Sequence, residues 1–240
     1  MKVGRGLAGA ISMLLLLNTA TWSSGLAAQE VLESGAYEIR WFAEGPLPAG
    51  VEEWFGAATV DSLVDEERRV DVYLVTGDEV LSPKLRGNEP RLELKGRTAA
   101  RSIKACEATG VLESWTKWEW DYLGSPDEDA VREAFLTADD DRVAVSKIRR
   151  RAKFAFEPGG KKQVEVKDRL DLGGTLELTE GVVAGKPFWT VAVDLYLFEE
   201  DEVLVSEVSR LLCSVLDGFP ATLGEGHSQG YAGWLREEAP

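Results

Sequence analysis

The 240-residue chain contains a single histidine, His227, and two cysteines, Cys106 and Cys213. Zinc, haem and iron–sulfur sites built from His and Cys need three or four such ligands, so these sites are excluded. A bound metal ion would have to be held by oxygen atoms. A catalytic Ser-His-Asp or Cys-His group would depend on His227 alone, which lies in a Gly-rich stretch typical of a surface loop. The two cysteines could pair in an oxidising compartment, but their separation along the chain leaves their pairing open.

Long apolar runs are absent except near the N-terminus, where a short basic start precedes an apolar stretch at 7–20 and a series of small residues. This layout is typical of a secretory signal peptide that is cleaved after Ala27 or Ala28. The stretch is shorter than the ~20 apolar residues of a membrane span, which disfavours an uncleaved anchor. We therefore predict a signal peptide at 1–28, a single domain at 29–240, and export to the periplasm or the cell exterior.

Basic residues are scarce, with 27 Lys and Arg against 42 Asp and Glu and a net charge of −15. Removal of 1–28 leaves 212 residues and takes away Lys2 and Arg5, so the mature charge becomes −17. A field of this sign repels polyanions, which argues against binding to duplex nucleic acid or to anionic membranes. The apolar content of 44% is sufficient for the core of one large domain.

Alternating apolar and polar residues dominate the chain from residue 36 onward and predict β-strands. The predicted strands are 37–42, 68–75, 80–86, 91–97, 113–122, 142–157, 164–172, 175–179 and 188–198. Amphipathic segments predict helices at 46–57, 125–137 and 203–216. Several strands have one charged face, and closing a sheet removes its exposed edges. The sequence therefore favours a mainly β fold, a closed antiparallel eight-stranded tunnel-like barrel with a few flanking helices.

Basic residues are concentrated on one face of four predicted strands, although the chain as a whole is acidic. Six of the twelve residues from Arg142 to Lys153 are basic. A charged strand face ordinarily points to water, and in that case these residues form an outer basic stripe. If the faces instead converge inside a wide barrel, they form a cationic channel suited to phosphate oxygens. The faces contain Glu38 and Arg40; Lys84 and Arg86; Arg91, Glu93, Lys95 and Arg97; and Lys147, Arg149, Arg151 and Lys153.

The order of these segments along most of the mature chain resembles that of the CYTH, or triphosphate tunnel metalloenzyme, superfamily. The resemblance implies an eight-stranded antiparallel tunnel in which Lys and Arg hold a triphosphate and Glu or Asp hold Mg²⁺ or Mn²⁺. Members of this superfamily hydrolyse triphosphate or polyphosphate, act on RNA triphosphate ends, or cyclise ATP. The segments that resemble the family are Tyr37–Arg40, Asp71–Leu74, Lys84–Arg86, Leu92–Arg97, the basic strand and Phe188–Leu195.

Two acidic positions of the family pattern are missing. The opening Glu-x-Glu-x-Lys motif falls on Ala36, Glu38 and Arg40, and the paired acids near the end fall on Ala192 and Asp194. The resemblance implies that Glu38 is the catalytic carboxylate. It implies that the metal ligands are Glu38 and Asp194, which Glu93 and Glu177 could supplement. The implied phosphate-binding residues are Arg40, Lys84, Arg86, Lys95, Arg97, Lys147, Arg149 and Arg151.

The loss of two carboxylates weakens such a metal site without abolishing it, because Mg²⁺ often takes one or two carboxylates together with water and substrate phosphate. Arginines can neutralise phosphate charge without a metal ion, whereas orienting an attacking water is harder. The residues therefore favour binding of a small polyphosphate anion over catalysis. Two other functions remain open: an envelope structural or interaction protein that has lost the site, and a lipocalin-like carrier with an apolar interior.

Overall fold

A computed structural model of the chain describes residues 32–87, 91–121, 133, 135, 141–157, 160–170, 172–196 and 203–238. The strands in these ranges are β1 Leu32–Glu44, β2 Asp65–Leu74, β3 Leu81–Leu85, β4 Arg91–Ala105, β5 Ala108–Asp121, β6 Arg142–Glu157, β7 Gly160–Val164, β8 Gly173–Val183 and β9 Lys186–Tyr196. The helices with described bounds are α1 Ala49–Ala58, α2 Val203–Val215 and α3 Tyr231–Glu238, together with 3₁₀ turns at Asp61–Leu63 and Glu225–His227. The predicted signal peptide lies outside the described residues. Of the predicted helix 125–137, only residues 133 and 135 lie within them.

Eight of the strands close into a barrel. They are hydrogen-bonded in the order β2-β3-β4-β5-β1-β9-β8-β6, and β6 pairs back to β2. Every pairing is antiparallel. The long strand β6 makes closure possible, because residues 142–151 pair with β2 while 153–157 pair with the short outer strand β7. The predicted fold class, a mainly β closed barrel with flanking helices, is confirmed.

The predicted and observed strands differ where local geometry breaks the alternation. The prediction for β6 is correct at both ends, whereas the predicted strand 164–172 is wrong, because β7 ends at Val164. The following residues form a turn, in which the amide of Asp168 donates to the carbonyl of Glu165 over 3.0 Å. Strand β4 continues well beyond the predicted 91–97, because a β-bulge between Arg97 and Ala99 interrupts the alternation there.

The main hydrophobic core lies outside the barrel, between its wall and the helices. Outward-facing Ile39, Leu178 and Val191 are buried beneath Trp54 of α1 and Leu211 of α2. A second outer cluster contains Phe135 with Leu85, Leu92 and the partly buried Trp120. Burial of these apolar side chains supplies the main driving force for folding, and it leaves the barrel interior free for polar residues.

The C-terminal segment closes the end of the barrel at which β1 finishes. The Ser228 hydroxyl accepts a hydrogen bond from the Val111 amide over 2.8 Å, and the Gln229 amide donates to the Arg40 carbonyl over 3.1 Å. Trp234 of α3 then stacks on Phe42, with ring centroids 4.5 Å apart and planes 9° apart. No helix in the described ranges is long and apolar enough to cross a membrane.

Two residues next to this docked segment have environments that the structure makes clear. Gly110 must be glycine, because a Cβ there would lie 2.7 Å from the Ser228 hydroxyl and 2.8 Å from the Trp41 ring. His227 is exposed in the preceding 3₁₀ turn, as expected for a surface histidine.

Cys106 and Cys213 form a disulfide that joins the turn between β4 and β5 to α2 across a sequence separation of 107 residues. A crosslink over so long a loop restricts the unfolded chain. We expect the double variant Cys106→Ala/Cys213→Ala to lose about 2–4 kcal/mol of unfolding free energy in urea denaturation. A thiol reductant should lower the stability of the wild type and leave the double variant unchanged. Equal stability of the two proteins would contradict this assignment.

Candidate functional site

The charged face of β6 points into the barrel. Lys147 contacts Asp71 of β2 over 2.8 Å, and Arg149 forms ion pairs with Glu177 of β8 and Glu67 of β2. The intervening Arg150 points outward and pairs with Glu52 of α1 over 2.9 Å. The cations therefore line the interior and do not form an outer basic stripe. A charged interior of this kind does not fit a lipocalin-like apolar carrier.

One buried network joins Arg40 of β1 to Arg149 of β6 through Glu177. Arg40 donates to Glu38 over 2.8 Å and to Glu177 over 2.9 Å, while Arg149 donates to the second carboxylate oxygen of Glu177. The Thr179 hydroxyl also donates to Glu177, over 2.9 Å. Burial alone would raise the pKa of Glu177, but the two guanidinium groups hold it well below its usual range. Glu177 thus holds both arginines in place inside the barrel.

A second buried network surrounds Asp71, which lies 2.8 Å from Lys147, 3.0 Å from Arg69 and 3.8 Å from Lys84. Lys84 also pairs with Glu93 over 2.8 Å. Burial lowers the pKa of both Lys147 and Lys84, although the neighbouring carboxylates oppose this effect. A further negative charge bound beside these amines would favour their protonated form.

The other predicted cations lie on the same inner surface. Lys95 is 3.3 Å from Glu38, and Arg86 is 3.5 Å from Glu67. Arg97 pairs with Glu113 over 2.6 Å, and Arg151 pairs with Asp65. All eight residues that the family resemblance implied for phosphate binding therefore have inward-facing side chains with acidic partners. Of these eight residues, Arg97 and Arg151 lie nearest the two ends of the barrel.

Solvent exposure of the inward-facing side chains of β6 increases from Lys147 to Arg151, whereas the next one, Lys153, is buried and donates to the carbonyls of Val166 and Asp168. The exposed side-chain fraction is 2% for Lys147, 14% for Arg149 and 25% for Arg151. Lys147 lies close to Tyr231 of α3, its Nζ 4.3 Å from the ring centroid. Among the inward-facing β6 cations, Arg151 is thus the most exposed, and Lys147 meets α3 at the other end of the row.

Carboxylates occupy paired positions on three neighbouring strands. Glu38 lies opposite Glu113 on one side and opposite Asp194 on the other. Glu38 pairs with Arg40 and Glu113 pairs with Arg97, whereas Asp194 has no ion pair or hydrogen bond to its side chain within the part of the chain that the structure describes. Burial, reinforced by the charges of Glu38 and Glu177, raises the pKa of Asp194 to about 7. Asp194 is therefore the interior carboxylate most in need of a cation.

The interior acids partly fit the divalent ion that the family resemblance implies. Within the described ranges, no three potential ligand side chains are close enough to form a metal site by themselves. Asp194 is available, but both oxygens of Glu38 are already engaged, one by Arg40 and one by Lys95. This donor set fits Mg²⁺ or Mn²⁺ only if water and ligand phosphate oxygens complete the coordination sphere.

Sequence reasoning missed several interior residues. Arg69, Asp71 and Tyr73 share the inner face of β2, and their alternation with apolar residues was visible in the sequence. Because that face combines a cation, an anion and a neutral residue, the sequence did not identify it as part of the cation cluster. Tyr231 gave no signal, because α3 is short and follows a Gly-rich loop.

Replacing Asp71 tests the buried network. We expect Asp71→Asn to lower the free energy of unfolding by about 3–5 kcal/mol, because three buried cations lose their shared counterion. Glu66→Gln is the matched control on the outer face of β2, where Glu66 pairs with exposed Arg68. Its effect should stay below about 1 kcal/mol in the same denaturant titration. Similar losses for both variants would contradict the assignment.

Asp194 should make stability depend on pH in an unusual direction. Its folded pKa of about 7 exceeds the ordinary value of 3.8, so the folded protein binds the proton more tightly than the unfolded chain. The Asp194 contribution is therefore present at acidic pH and is lost as pH rises from about 4 to 7, by up to about 1.4 kcal/mol per pH unit. Asp194→Asn should remove this dependence in urea denaturation at pH 5 and pH 8 without divalent ions. An unchanged difference between the two pH values would contradict the prediction.

No protein-family model matches the chain, and no curated protein matches its sequence. Solved structures that match include one titled "Monoclinic Mimivirus Capping Enzyme Triphosphatase". The match has 10% sequence identity and a TM-score of 0.45, and it covers 88% of this chain and 96% of the viral chain. The strand pairing of the present structure itself shows a closed eight-stranded antiparallel barrel, the architecture that the resemblance to the CYTH superfamily implies.

Proposed function

We propose that this protein is exported and binds a triphosphate or polyphosphate anion inside its barrel. The observation that supports the proposal most directly is the convergence of basic side chains from five strands on one enclosed surface. Guanidinium groups bind phosphate oxygens through paired, charge-assisted hydrogen bonds, and a buried setting strengthens them. The principal cations are Arg40, Arg69, Lys84, Arg86, Lys95, Lys147 and Arg149.

The interior carboxylates keep this surface in a state ready for the anion. Unpaired cations at this depth would be costly, so each needs a counterion while no ligand is bound. Glu177 and Glu67 serve Arg149 in this way. A polyphosphate anion that replaces one of these contacts brings more charge than a single carboxylate and needs little rearrangement of the arginine. The acids therefore preorganise the cations. They also compete with the ligand, so weakly charged anions do not displace them.

The barrel also restricts ligand size. The C-terminal segment closes one end, so a ligand that enters from the Arg151 end cannot pass through. The mature charge of −17 repels long polyanions from the exterior. A short anion with several phosphoryl groups fits both conditions, whereas duplex nucleic acid fits neither.

Two observations support export. The N-terminal sequence has the layout of a signal peptide, and both cysteines of the chain are joined in a disulfide. Structural disulfides persist in oxidising compartments such as the periplasm or the cell exterior.

A second candidate function is divalent-metal-dependent hydrolysis of the same anion. Asp194, which has a raised pKa and no ion-pair partner among the described residues, favours it. Asp194 and Glu38 would hold Mg²⁺ or Mn²⁺ together with phosphate oxygens, and the ion would neutralise charge on the phosphoryl group. Arg149 and Lys147 would neutralise charge on the remaining oxygens. Two candidate ligands are fewer than the family pattern supplies, so anion binding is the better supported function.

Binding is tested by calorimetric titration of the mature protein with tripolyphosphate. We expect Arg149→Ala to weaken binding at least tenfold, because it removes a charged hydrogen-bonding group. Arg150→Ala is the matched control, since it removes the same charge from the opposite face of the same strand and should change the affinity less than twofold. If Arg149→Ala folds poorly, Arg149→Lys provides the milder test, since it retains the charge but loses the paired geometry.

The outcomes separate the candidate functions. No heat of binding and no thermal stabilisation of the wild type by tripolyphosphate would overturn the proposal and favour an envelope structural or interaction protein. Equal effects of the Arg149 and Arg150 variants would place the binding surface outside the barrel. Phosphate release that requires Mg²⁺ or Mn²⁺, and that Asp194→Asn abolishes while binding persists, would establish the second function.

A further inference from the structure

Tyr231, the first residue of α3, reaches into the charged interior from the closed end. Its ring stacks on Tyr73 with centroids 5.4 Å apart and planes 19° apart. The edge of Phe42 meets it at a centroid distance of 5.1 Å. The Lys147 Nζ lies 4.3 Å from the centroid of the Tyr231 ring, and the Arg40 guanidinium carbon lies 5.1 Å from it. One aromatic ring thus contacts a cation from each of the two buried networks.

The hydroxyl of Tyr231 is buried and has no hydrogen-bond partner among the described residues. Other interior tyrosines satisfy theirs: the Tyr73 hydroxyl accepts from Lys147 over 2.9 Å, and the Tyr196 hydroxyl lies 3.0 Å from that of Thr175. Leaving a buried hydroxyl unpaired costs free energy, so an unpaired one in a native structure calls for an explanation. The most direct explanation is a ligand that accepts a hydrogen bond from this hydroxyl.

The surroundings of this hydroxyl define the chemistry of such a ligand. The charged groups near Tyr231 include Lys147, Arg40 and Arg149, together with the carboxylates Glu177 and Asp71. Burial raises the pKa of Tyr231 above its usual value, so the hydroxyl keeps its proton at neutral pH and can donate it. A hydroxyl donor beside two arginines is complementary to an oxyanion.

We propose that Tyr231 is a ligand-binding residue, whose hydroxyl donates a hydrogen bond to a phosphate oxygen of an anion held by Arg40, Lys147 and Arg149. This inference rests on the proposed function and extends it, because it makes the C-terminal helix part of the binding site. The terminal phosphoryl group of the anion is then the part that Tyr231 contacts, since α3 closes that end of the barrel.

Contacts other than the hydroxyl position Tyr231. Ser228 and Gln229 bond to the barrel wall, and Trp234 stacks on Phe42. Gly230 packs tightly against Glu113 and Trp115 of β5, because a Cβ there would lie 2.7 Å from the Glu113 carboxylate and 2.9 Å from the Trp115 ring. Removal of the hydroxyl alone should therefore leave α3 in place, and a larger residue at 230 should displace it.

The test compares Tyr231→Phe with the wild type in tripolyphosphate titration. We expect the affinity of Tyr231→Phe to fall about three- to tenfold, the range for one lost hydrogen bond. Its melting temperature without ligand should be unchanged or slightly raised, because the hydroxyl has no partner to lose. Tyr37→Phe is the matched control, since Tyr37 packs against the outer core and its loss of a hydroxyl should not alter the affinity.

Each outcome decides the inference. A wild type that binds tripolyphosphate, together with a Tyr231→Phe variant of equal affinity, overturns the role of Tyr231 and leaves the proposed function standing. A wild type that does not bind overturns both. A lowered melting temperature of ligand-free Tyr231→Phe would make its role structural. Gly230→Ala provides a second variant: it removes no ligand contact, yet it should weaken binding by moving Tyr231, and unchanged binding would also count against the inference.

Discussion

The structure depends on pairing charges that are buried inside a closed barrel. A single buried cation such as Lys147 would be strongly unfavourable, and its partner Asp71 stands on another strand. Most interior pairs likewise join different strands, and those that Lys147, Arg149 and Arg151 of β6 make with β2 form only when the sheet closes. Burial of apolar side chains on the outer wall, beneath α1 and α2, supplies the free energy that this polar interior does not. The usual arrangement of a small barrel is therefore inverted, with the apolar core outside and the charges within.

The sequence predicts a strand well where inward-facing and outward-facing residues alternate along its whole length. The bounds of strand β6 and the position of Lys147, Arg149 and Arg151 on one face could be predicted. Whether that face points into the barrel or to water was open until the pairing of β6 with β2 and β8 was known. Features that depend on other strands could not be predicted. The bulge after Arg97 has no clear sequence signal, and the pairing of Cys106 with Cys213 requires the hairpin turn and α2 to meet.

The missing acids have a structural counterpart. Ala192 lies directly between Arg40 of β1 and Glu177 of β8 in the strand register. Because its side chain is a methyl group, Arg40 and Glu177 can meet across β9 over 2.9 Å. A carboxylate at 192 would compete for the same guanidinium. The absence of an acid at this position thus belongs to a rearranged network in which Glu177 holds Arg40 and Arg149 together. In this part of the interior, Glu177 therefore serves as the shared counterion of two arginines.

The location of β1 has a consequence for how the chain acquires its structure. The first described strand pairs with β5 and with β9, and the residues around Ser228 then dock onto it. No set of early segments can complete the barrel, because the wall lacks its last strand until nearly the whole polypeptide has been made. Contacts this distant in sequence slow folding. In a chain of this topology, the barrel therefore closes only after β9 has been synthesised, late in the sequence.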